Sequence, residues 1–433
     1  MSAGICIMNK NAIALAADSA VTIGKHLAIH NSANKLFALS KIEPVGVIIY
    51  SNADFMGIPV EIILKQYKSA MGDKAFNTLE EYVSDFFAFL LQHTELFHFH
   101  NNEKPYVQSV YIDLLKGLTG DYQHSIKKKE SEMQRNLTPD ELAIIQHDAV
   151  CATLKFVDNT PPLPGLDLTH YIEATYSHEI CEHITHNFPW ITAEDLAALV
   201  KATCSIFNRL FFRNGYVGLA FAGYGKNDIF PKMVHIHLSG IVNGKMRYYQ
   251  KERVSITESQ NATITPLAQT DVMQTFLFGI NDSFIQEIGR EIPLQIANSI
   301  QKVDDTFFAE GKKQNVQQEL NTITTGTVQS IIQKAQRQYL RPITQSVATL
   351  PIEELALLAE SMINITSIRR RVAIDDNIGT VGGPIDVAII SKCDGFIWLK
   401  RKHYFDRAYN PQYFYSHYMI KSPNYGDLDN NPV

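Results

Sequence analysis

The first 18 residues constrain the fold more than any other part of the sequence. Two runs of small and apolar residues, 4–8 and Ala12–Ala17, are joined by the polar stretch Asn9, Lys10 and Asn11, and the second run ends at Asp18. Two such runs around an Asn-containing turn indicate a β-hairpin. Because the second run consists mostly of alanine, a neighbouring backbone can approach it closely. We therefore expect an antiparallel hairpin in the centre of a sheet.

The rest of the chain alternates between strand-like and helix-like patterns. Short apolar runs indicate strands at 36–39, 45–50, 215–222, 233–238, 246–249, 385–390 and 396–399. The segments between them have apolar residues at helical spacing. No internal repeat or linker divides the sequence, so we expect one domain over residues 1–433. Its core strands are predicted at about 2–57, 214–255 and 372–402, and its helical segments at about 78–213 and 270–371.

Three helix starts have the pattern of a capping box, in which an N-cap hydroxyl precedes a carboxylate by three residues. These pairs are Thr78 with Glu81, Thr138 with Glu141, and Thr192 with Asp195. Pro351 is predicted to open a later helix.

Composition and simple sequence patterns argue against several classes of protein. A net charge of -6 argues against a dedicated nucleic-acid binder. Because no apolar run reaches about 18 residues, no membrane span is expected. Nothing near the N-terminus has the pattern of a signal peptide. The five cysteines are scattered and lack a CxxC pair, which is typical of a reducing compartment and argues against a disulfide framework or a cysteine zinc site. We expect a cytoplasmic protein without a cofactor.

Met1 is followed by Ser2, a small residue that normally permits removal of the initiator methionine. Removal leaves a serine that has both a hydroxyl and a free α-amine. An α-amine titrates near pH 8, so a useful fraction is unprotonated at neutral pH and can accept the hydroxyl proton. One residue then supplies both nucleophile and base.

The stretches AIALAADSAVTIG, NKLFALS and VGVIIYSNADF resemble the start of proteasome β-type subunits and their bacterial relatives, which are N-terminal nucleophile hydrolases. In that family a nucleophile begins the first strand, an aspartate ends the second, and a lysine precedes the third. The matching positions here are Ser2, Asp18 and Lys35. The resemblance implies an α+β fold, namely an αββα four-layer sandwich, enlarged here by two long helical insertions.

The resemblance also implies roles for these residues. Ser2 attacks a substrate carbonyl, the Lys35 ammonium favours the serine alkoxide, and Asp18 holds Lys35 in place. Backbone N–H groups near Ser51 and Asn52 form the oxyanion hole, where most family members have two glycines. Residues 218–240 resemble the family's central hairpin and 375–399 its closing segment. From the closing segment, Asp376 and Thr380 are predicted to support the site.

The function implied by this resemblance is hydrolysis of an amide bond in a peptide or protein, within a possible homo-oligomeric ring. Two alternatives remain open: a non-catalytic scaffold that keeps the fold, and a small-molecule amidase that uses the same site. Cys6 is predicted to be a buried apolar residue. The sequence around His178, Glu182 and His186 matches no zinc-binding motif and is interpreted as a polar helix face.

Overall fold

A computed structural model describes residues 3–22, 29–30, 32–212, 215–302, 312–372, 381–403 and 405–412. The strands are β1 (Ala3–Asn9), β2 (Ala12–Ala17), β3 (Val21–Thr22), β4 (Ile29–His30), β5 (Leu36–Ala38), β6 (Val45–Ser51), β7 (Asp54–Phe55), β8 (Ile58–Pro59), β9 (Val217–Gly223), β10 (Lys232–Val242), β11 (Lys245–Ser255), β12 (Ala262–Ala268), β13 (Asp386–Ser391) and β14 (Gly395–Lys400).

The α-helices form two sequence blocks between the strands. The first block contains α1 (Val60–Met71), α2 (Leu79–Gln92), α3 (Glu103–Met133), α4 (Pro139–Asn159), α5 (Thr169–Asn187) and α6 (Ala193–Ser205). The second contains α7 (Asp271–Phe278), α8 (Asp282–Gln301), α9 (Lys312–Ala335), α10 (Arg341–Val347) and α11 (Ile352–Val372). The described elements follow the order expected from the sequence: strands, helices, strands, helices, strands.

Most strands belong to two five-stranded antiparallel sheets, while β3 pairs with β4 and β7 with β8 in two-stranded sheets. The first has the strand order β12-β1-β2-β13-β14, and the second has the order β11-β10-β9-β6-β5. The predicted N-terminal hairpin is confirmed, because β1 pairs antiparallel with β2 and Cys6 lies opposite Leu15. β2 is the central strand of its sheet, as its run of small residues indicated.

The buried residues fall into three apolar clusters. One joins the second sheet to the helices of the first block. Another joins the first sheet to α7, α10 and α11. The third contains residues of both sheets, among them Met8, Leu15 and Ile48. Since side chains alternate between the two faces of a strand, Ile7 belongs to the helix-facing cluster while its neighbour Met8 belongs to the cluster shared by the sheets.

The predicted helix starts are partly confirmed. Thr138 and Glu141 form the complete capping box of α4, and the Thr192 hydroxyl accepts from the Asp195 N–H. The capping box at Thr78 is wrong: α2 does begin after Thr78, but the hydroxyl makes no capping bond. A carboxylate from a distant part of the chain replaces it, because the Leu79 N–H donates to Asp228 Oδ2 over 2.9 Å.

Sequence reasoning missed β12, which pairs with β1 along its whole length. Its sequence contains Pro266, which the position of β12 at the sheet edge permits.

Within the described ranges, no helix is both long enough and apolar enough to span a membrane.

Candidate active site

Asp18 and Lys35 form a buried ion pair where β2 ends and β5 begins. Lys35 Nζ lies 2.6 Å from Asp18 Oδ1, and the two side chains are only 4% and 0% exposed. The ammonium also donates to the Ala20 carbonyl oxygen. Two of its three N–H groups therefore have acceptors, and the third has none among the described residues.

The Asp18 carboxylate also accepts three backbone hydrogen bonds. The Ala3 N–H donates to Oδ1 over 2.8 Å, the Ala20 N–H to Oδ2 over 3.2 Å, and the Gly382 N–H to Oδ2 over 3.1 Å. In return, the Asp18 N–H donates to the Ala3 carbonyl oxygen over 3.1 Å. Hydrogen bonds to a charged acceptor are stronger than neutral ones. Asp18 therefore fixes the start of β1, the chain after β2 and the segment before β13.

The electrostatics of the pair are dominated by burial. Burial lowers the pKa of the Lys35 ammonium, the Asp18 charge and hydrogen bond oppose this shift, and the nearby Lys402 charge lowers the pKa further. Lys402 itself pairs with Asp386 at the start of β13. At alkaline pH, Lys35 therefore loses its proton more readily than an exposed lysine does.

Sequence reasoning did not assign a role to Ser19, which follows Asp18. Its hydroxyl donates to the Pro384 carbonyl oxygen over 2.5 Å, and its N–H donates to the Gly382 carbonyl oxygen over 3.1 Å. These bonds join the chain after β2 to the segment before β13, beside Asp18. The only sequence signal was the position of Ser19 directly after the aspartate.

Ser51 and Asn52, the predicted oxyanion residues, lie at the end of β6. Ser51 is exposed and has a left-handed backbone with φ 68°. The Asn52 N–H donates to the Tyr216 carbonyl oxygen over 3.2 Å. An oxyanion hole here therefore needs an N–H group other than that of Asn52, or a local rearrangement.

Three predicted site residues, Ser2, Asp376 and Thr380, lie outside the described residues. Their described neighbours are informative. Ala3, which follows Ser2, donates its N–H to Asp18. Val381, which follows Thr380, is 1% exposed. The pair of Asp18 and Lys35 is therefore the part of the predicted catalytic set whose geometry is described.

A cluster of aromatic and imidazole rings lies on the face of the second sheet that is shared with the first. Tyr50 Oη lies 2.5 Å from His235 Nε2 and 2.8 Å from His237 Nε2. The Tyr50 ring fits there because Gly218 opposes it, and a Cβ on that glycine would lie 2.2 Å from the ring. Burial, together with the Lys251 charge, lowers the pKa of His235 to about 3 and of His237 to about 4.

Both imidazoles are consequently neutral at pH 7, and their hydrogen bonds to one hydroxyl must differ. A tyrosine O–H donates one hydrogen bond and accepts others. Tyr50 therefore donates to one Nε2 and accepts from the other, so His235 and His237 are held as opposite tautomers. Among the described residues, the other ring nitrogen of the buried His235, Nδ1, has no hydrogen-bond partner.

Two remaining sequence features are located as follows. Cys6 is confirmed as a fully buried residue, and burial raises the pKa of its thiol. His178, Glu182 and His186 line an open surface pocket between α3 and α5. In the described part of the chain, no group of three or more His, Cys, Asp or Glu side chains is arranged to hold a metal ion.

Comparison with known proteins gives weak similarities to solved structures. No family model and no curated protein matches the chain. Among solved structures, it is similar to the Gly-1 mutant of Anbu from Hyphomicrobium sp. strain MC1, with 8% identity, coverage of 98% of this chain and 100% of that one, and a TM-score of 0.29. It is also similar to Anbu, an ancestral beta-subunit, from Yersinia bercovieri, with 10% identity, the same coverages and a TM-score of 0.29. This is a weak likeness at the level of the fold.

Proposed function

We propose that the protein is an N-terminal nucleophile hydrolase that cleaves amide bonds through Ser2. One observation carries the proposal: the buried pair of Asp18 and Lys35 is hydrogen-bonded to the N–H of Ala3, the residue to which Ser2 is covalently joined. A buried ion pair costs desolvation free energy, so it is weak evidence for a purely stabilising role. A lysine ammonium beside a nucleophilic hydroxyl stabilises the alkoxide, and this role accounts for a charge at a buried position.

The proposed fold is the αββα four-layer sandwich of that family. Three apolar clusters support it: one between helices and the second sheet, one shared by the two sheets, and one between the first sheet and helices. Stacked in that order, they separate four layers. The α1–α6 block and the helices α7, α10 and α11 then form the two outer layers.

The proposed mechanism requires a chain whose first residue is Ser2. Its α-amine accepts the hydroxyl proton, directly or through a water molecule, while Oγ attacks the amide carbon. The third Lys35 N–H, which has no acceptor among the described residues, stabilises the alkoxide. The α-ammonium passes the hydroxyl proton to the amide nitrogen, which leaves as the amine product, and water then hydrolyses the ester on Oγ.

Intact-mass spectrometry and a peptide vinyl sulfone test this proposal together. We expect the active form to begin at Ser2 and to gain one probe mass at that residue. Ser2→Ala and Lys35→Met should both abolish labelling and peptide hydrolysis. Lys68→Met is the matched control, because burial lowers the pKa of the partly buried Lys68 as well, but Lys68 lies on α1 and donates to the Ala38 carbonyl oxygen. Hydrolysis that survives Ser2→Ala would overturn the proposal.

A non-catalytic scaffold is the second candidate, and one observation favours it. The Asn52 N–H, predicted to line the oxyanion hole, already donates to the Tyr216 carbonyl oxygen. Absence of labelling in a chain that begins at Ser2 would support this candidate.

Hydrolysis of a panel of peptides and small acyl amides distinguishes a peptidase from a small-molecule amidase. The homo-oligomeric ring remains a further proposal, which sedimentation velocity tests.

A further inference from the structure

Cys151, His147 and Asp195 form a hydrogen-bonded chain far in sequence from the proposed active site. Cys151 Sγ lies 3.4 Å from His147 Nε2. On the other side of the same imidazole, His147 Nδ1 lies 3.2 Å from Asp195 Oδ2. Cys151 and His147 are one turn apart on α4, whereas Asp195 lies in the first turn of α6. Two packed helices thus align a thiol, an imidazole and a carboxylate.

The carboxylate decides which imidazole nitrogen carries the proton. A carboxylate accepts hydrogen bonds, so the Nδ1 that faces Asp195 carries the proton in the neutral ring. Nε2 then presents its lone pair to the Cys151 thiol. The base is therefore oriented to accept the S–H proton, which is the arrangement expected of an activated nucleophile.

The position of Asp195 is itself fixed by local structure. Its N–H donates to the hydroxyl of Thr192, the N-cap of α6, over 3.1 Å. Its side chain is only 13% exposed, whereas that of His147 is 61% exposed. The anchoring group is therefore more buried than the base it orients. Cys151 is partly exposed, so a small reagent can reach the sulfur.

The other cysteines lack this arrangement. Cys6 and Cys204 are buried, Cys181 is partly exposed and Cys393 is exposed. Among the described residues, Cys151 is the only cysteine whose sulfur is hydrogen-bonded to a histidine. Cys181 therefore provides a control of similar exposure, and Cys393 a control of greater exposure, within the same molecule.

We propose that Cys151 is a redox modification site at which hydrogen peroxide oxidises the thiol to a sulfenic acid with base assistance from His147. The thiol proton passes to His147 Nε2, and the sulfur attacks one peroxide oxygen. An S–O bond forms as the O–O bond breaks, and the departing hydroxide takes a proton to become water. Sulfur loses two electrons and the peroxide gains them. Asp195 is a positioning residue in this step. The proposal does not depend on the function of Ser2.

Dimedone labelling of the full-length protein after brief peroxide treatment, followed by peptide mass spectrometry, tests the proposal. We expect Cys151 to label at least about tenfold faster than Cys181 and Cys393, since positioned bases accelerate proton transfer by larger factors. His147→Gln should reduce the rate at Cys151 to that of Cys393. Asp195→Asn should reduce it by a smaller factor. His178→Gln, which removes an exposed histidine on α5, should have no effect.

The pH profile distinguishes base assistance from a structural role. Between pH 6 and pH 8, the rate at Cys151 should rise less steeply than the rate at Cys393, and His147→Gln should make the two profiles parallel. Circular dichroism verifies that each variant is folded. Equal rates at Cys151 and Cys393, or an unchanged rate in His147→Gln, would overturn the proposal.

Discussion

The Arg247 guanidinium donates a 2.9 Å hydrogen bond from Nε to the Phe207 carbonyl oxygen. Arg247 belongs to β11 and is fully buried. Its other acceptors are the Tyr106 and Ser239 hydroxyls and the carbonyl oxygens of Ile206, Arg209 and Phe211. The guanidinium thus fixes the chain that follows α6 against the second sheet. Among the described residues, no carboxylate pairs with it.

Arg247→Met should lower the free energy of unfolding by about 3 to 5 kcal/mol, because several buried carbonyl groups lose their donors at once. Arg253→Met is the matched control in the same strand. Arg253 is 52% exposed and pairs with Glu80, so its loss should cost about 1 kcal/mol or less. Urea denaturation measures both values. Similar losses in the two variants would contradict the anchoring role.

Lys35→Met should lower the free energy of unfolding by about 3 to 5 kcal/mol, since it leaves the buried Asp18 charge without its cation. Asp18→Asn alone should also destabilise the protein, because it leaves the Lys35 charge unpaired. The double variant should lose less than the sum of the single losses. A double-mutant cycle by urea denaturation measures the coupling, and additive losses would show that the pair contributes no coupling energy.

Hydrolytic activity should fall as the pH rises through the pKa of Lys35, and this loss should begin below the ordinary lysine pKa of about 10.4. The reason is that burial lowers this pKa, and deprotonation removes the charge that stabilises the serine alkoxide. The pH dependence of kcat measures the position of the alkaline limb. Full activity up to the ordinary lysine range would show that the ammonium charge is not required.

Stability should decline as the pH falls below about 6.5, the pKa of histidine in the unfolded chain. In the folded state the pKa of His235 is about 3 and that of His237 about 4. Between these values and 6.5, the unfolded state binds more protons, so acid favours unfolding. At pH 5 the loss should be on the order of 2 kcal/mol for each histidine.

Urea denaturation at pH 5 and at pH 7 measures this loss. His237→Gln should be less sensitive to pH over that interval than the wild-type chain, whatever its stability at pH 7. His100→Gln, which alters an exposed histidine, provides the control and should retain the wild-type dependence. An unchanged pH dependence in His237→Gln would exclude the imidazole as its source.

Thr138→Ala should destabilise the protein by about 1 kcal/mol, whereas Thr78→Ala should cost little. Both threonines precede a helix with the same sequence pattern. Only the Thr138 hydroxyl accepts a capping hydrogen bond, however, while α2 receives its acceptor from Asp228. Thermal denaturation of the two variants tests the difference. Equal losses would indicate that the Thr78 hydroxyl also caps its helix.

Sequence patterns predicted those strands and helices that are determined by residues close together in the chain. The hairpin of β1 and β2 follows from a polar turn between two apolar runs. The strand β12 was missed because its partner β1 is remote in sequence and Pro266 interrupts its pattern. The same limit applies at α2, where two similar threonine patterns are distinguished only by Asp228, which lies 149 residues from Leu79.

In the candidate site, too, local features were predictable from the sequence, whereas contacts between distant residues were not. Asp18 and Lys35 were recognisable because their spacing within a short segment resembles that of a known family. The Gly382 N–H that binds Asp18 comes from 364 positions away, so no local pattern predicts it. His147 and Cys151 are visible as an i,i+4 pair, but Asp195 reaches them only after α4 and α6 pack together.

The strand order of the first sheet also affects how the protein can be synthesised. β1 and β2 are wholly buried and lie between β12 and β13, which the ribosome produces much later. At about 5 to 20 residues per second, the apolar hairpin waits roughly 20 to 70 seconds for β13 to emerge. During that interval the apolar surface of the hairpin is exposed, and we expect a chaperone to bind it. Until residue 382 has been synthesised, the nascent chain also lacks the Gly382 contact to Asp18, so hydrolytic activity is expected only after that point.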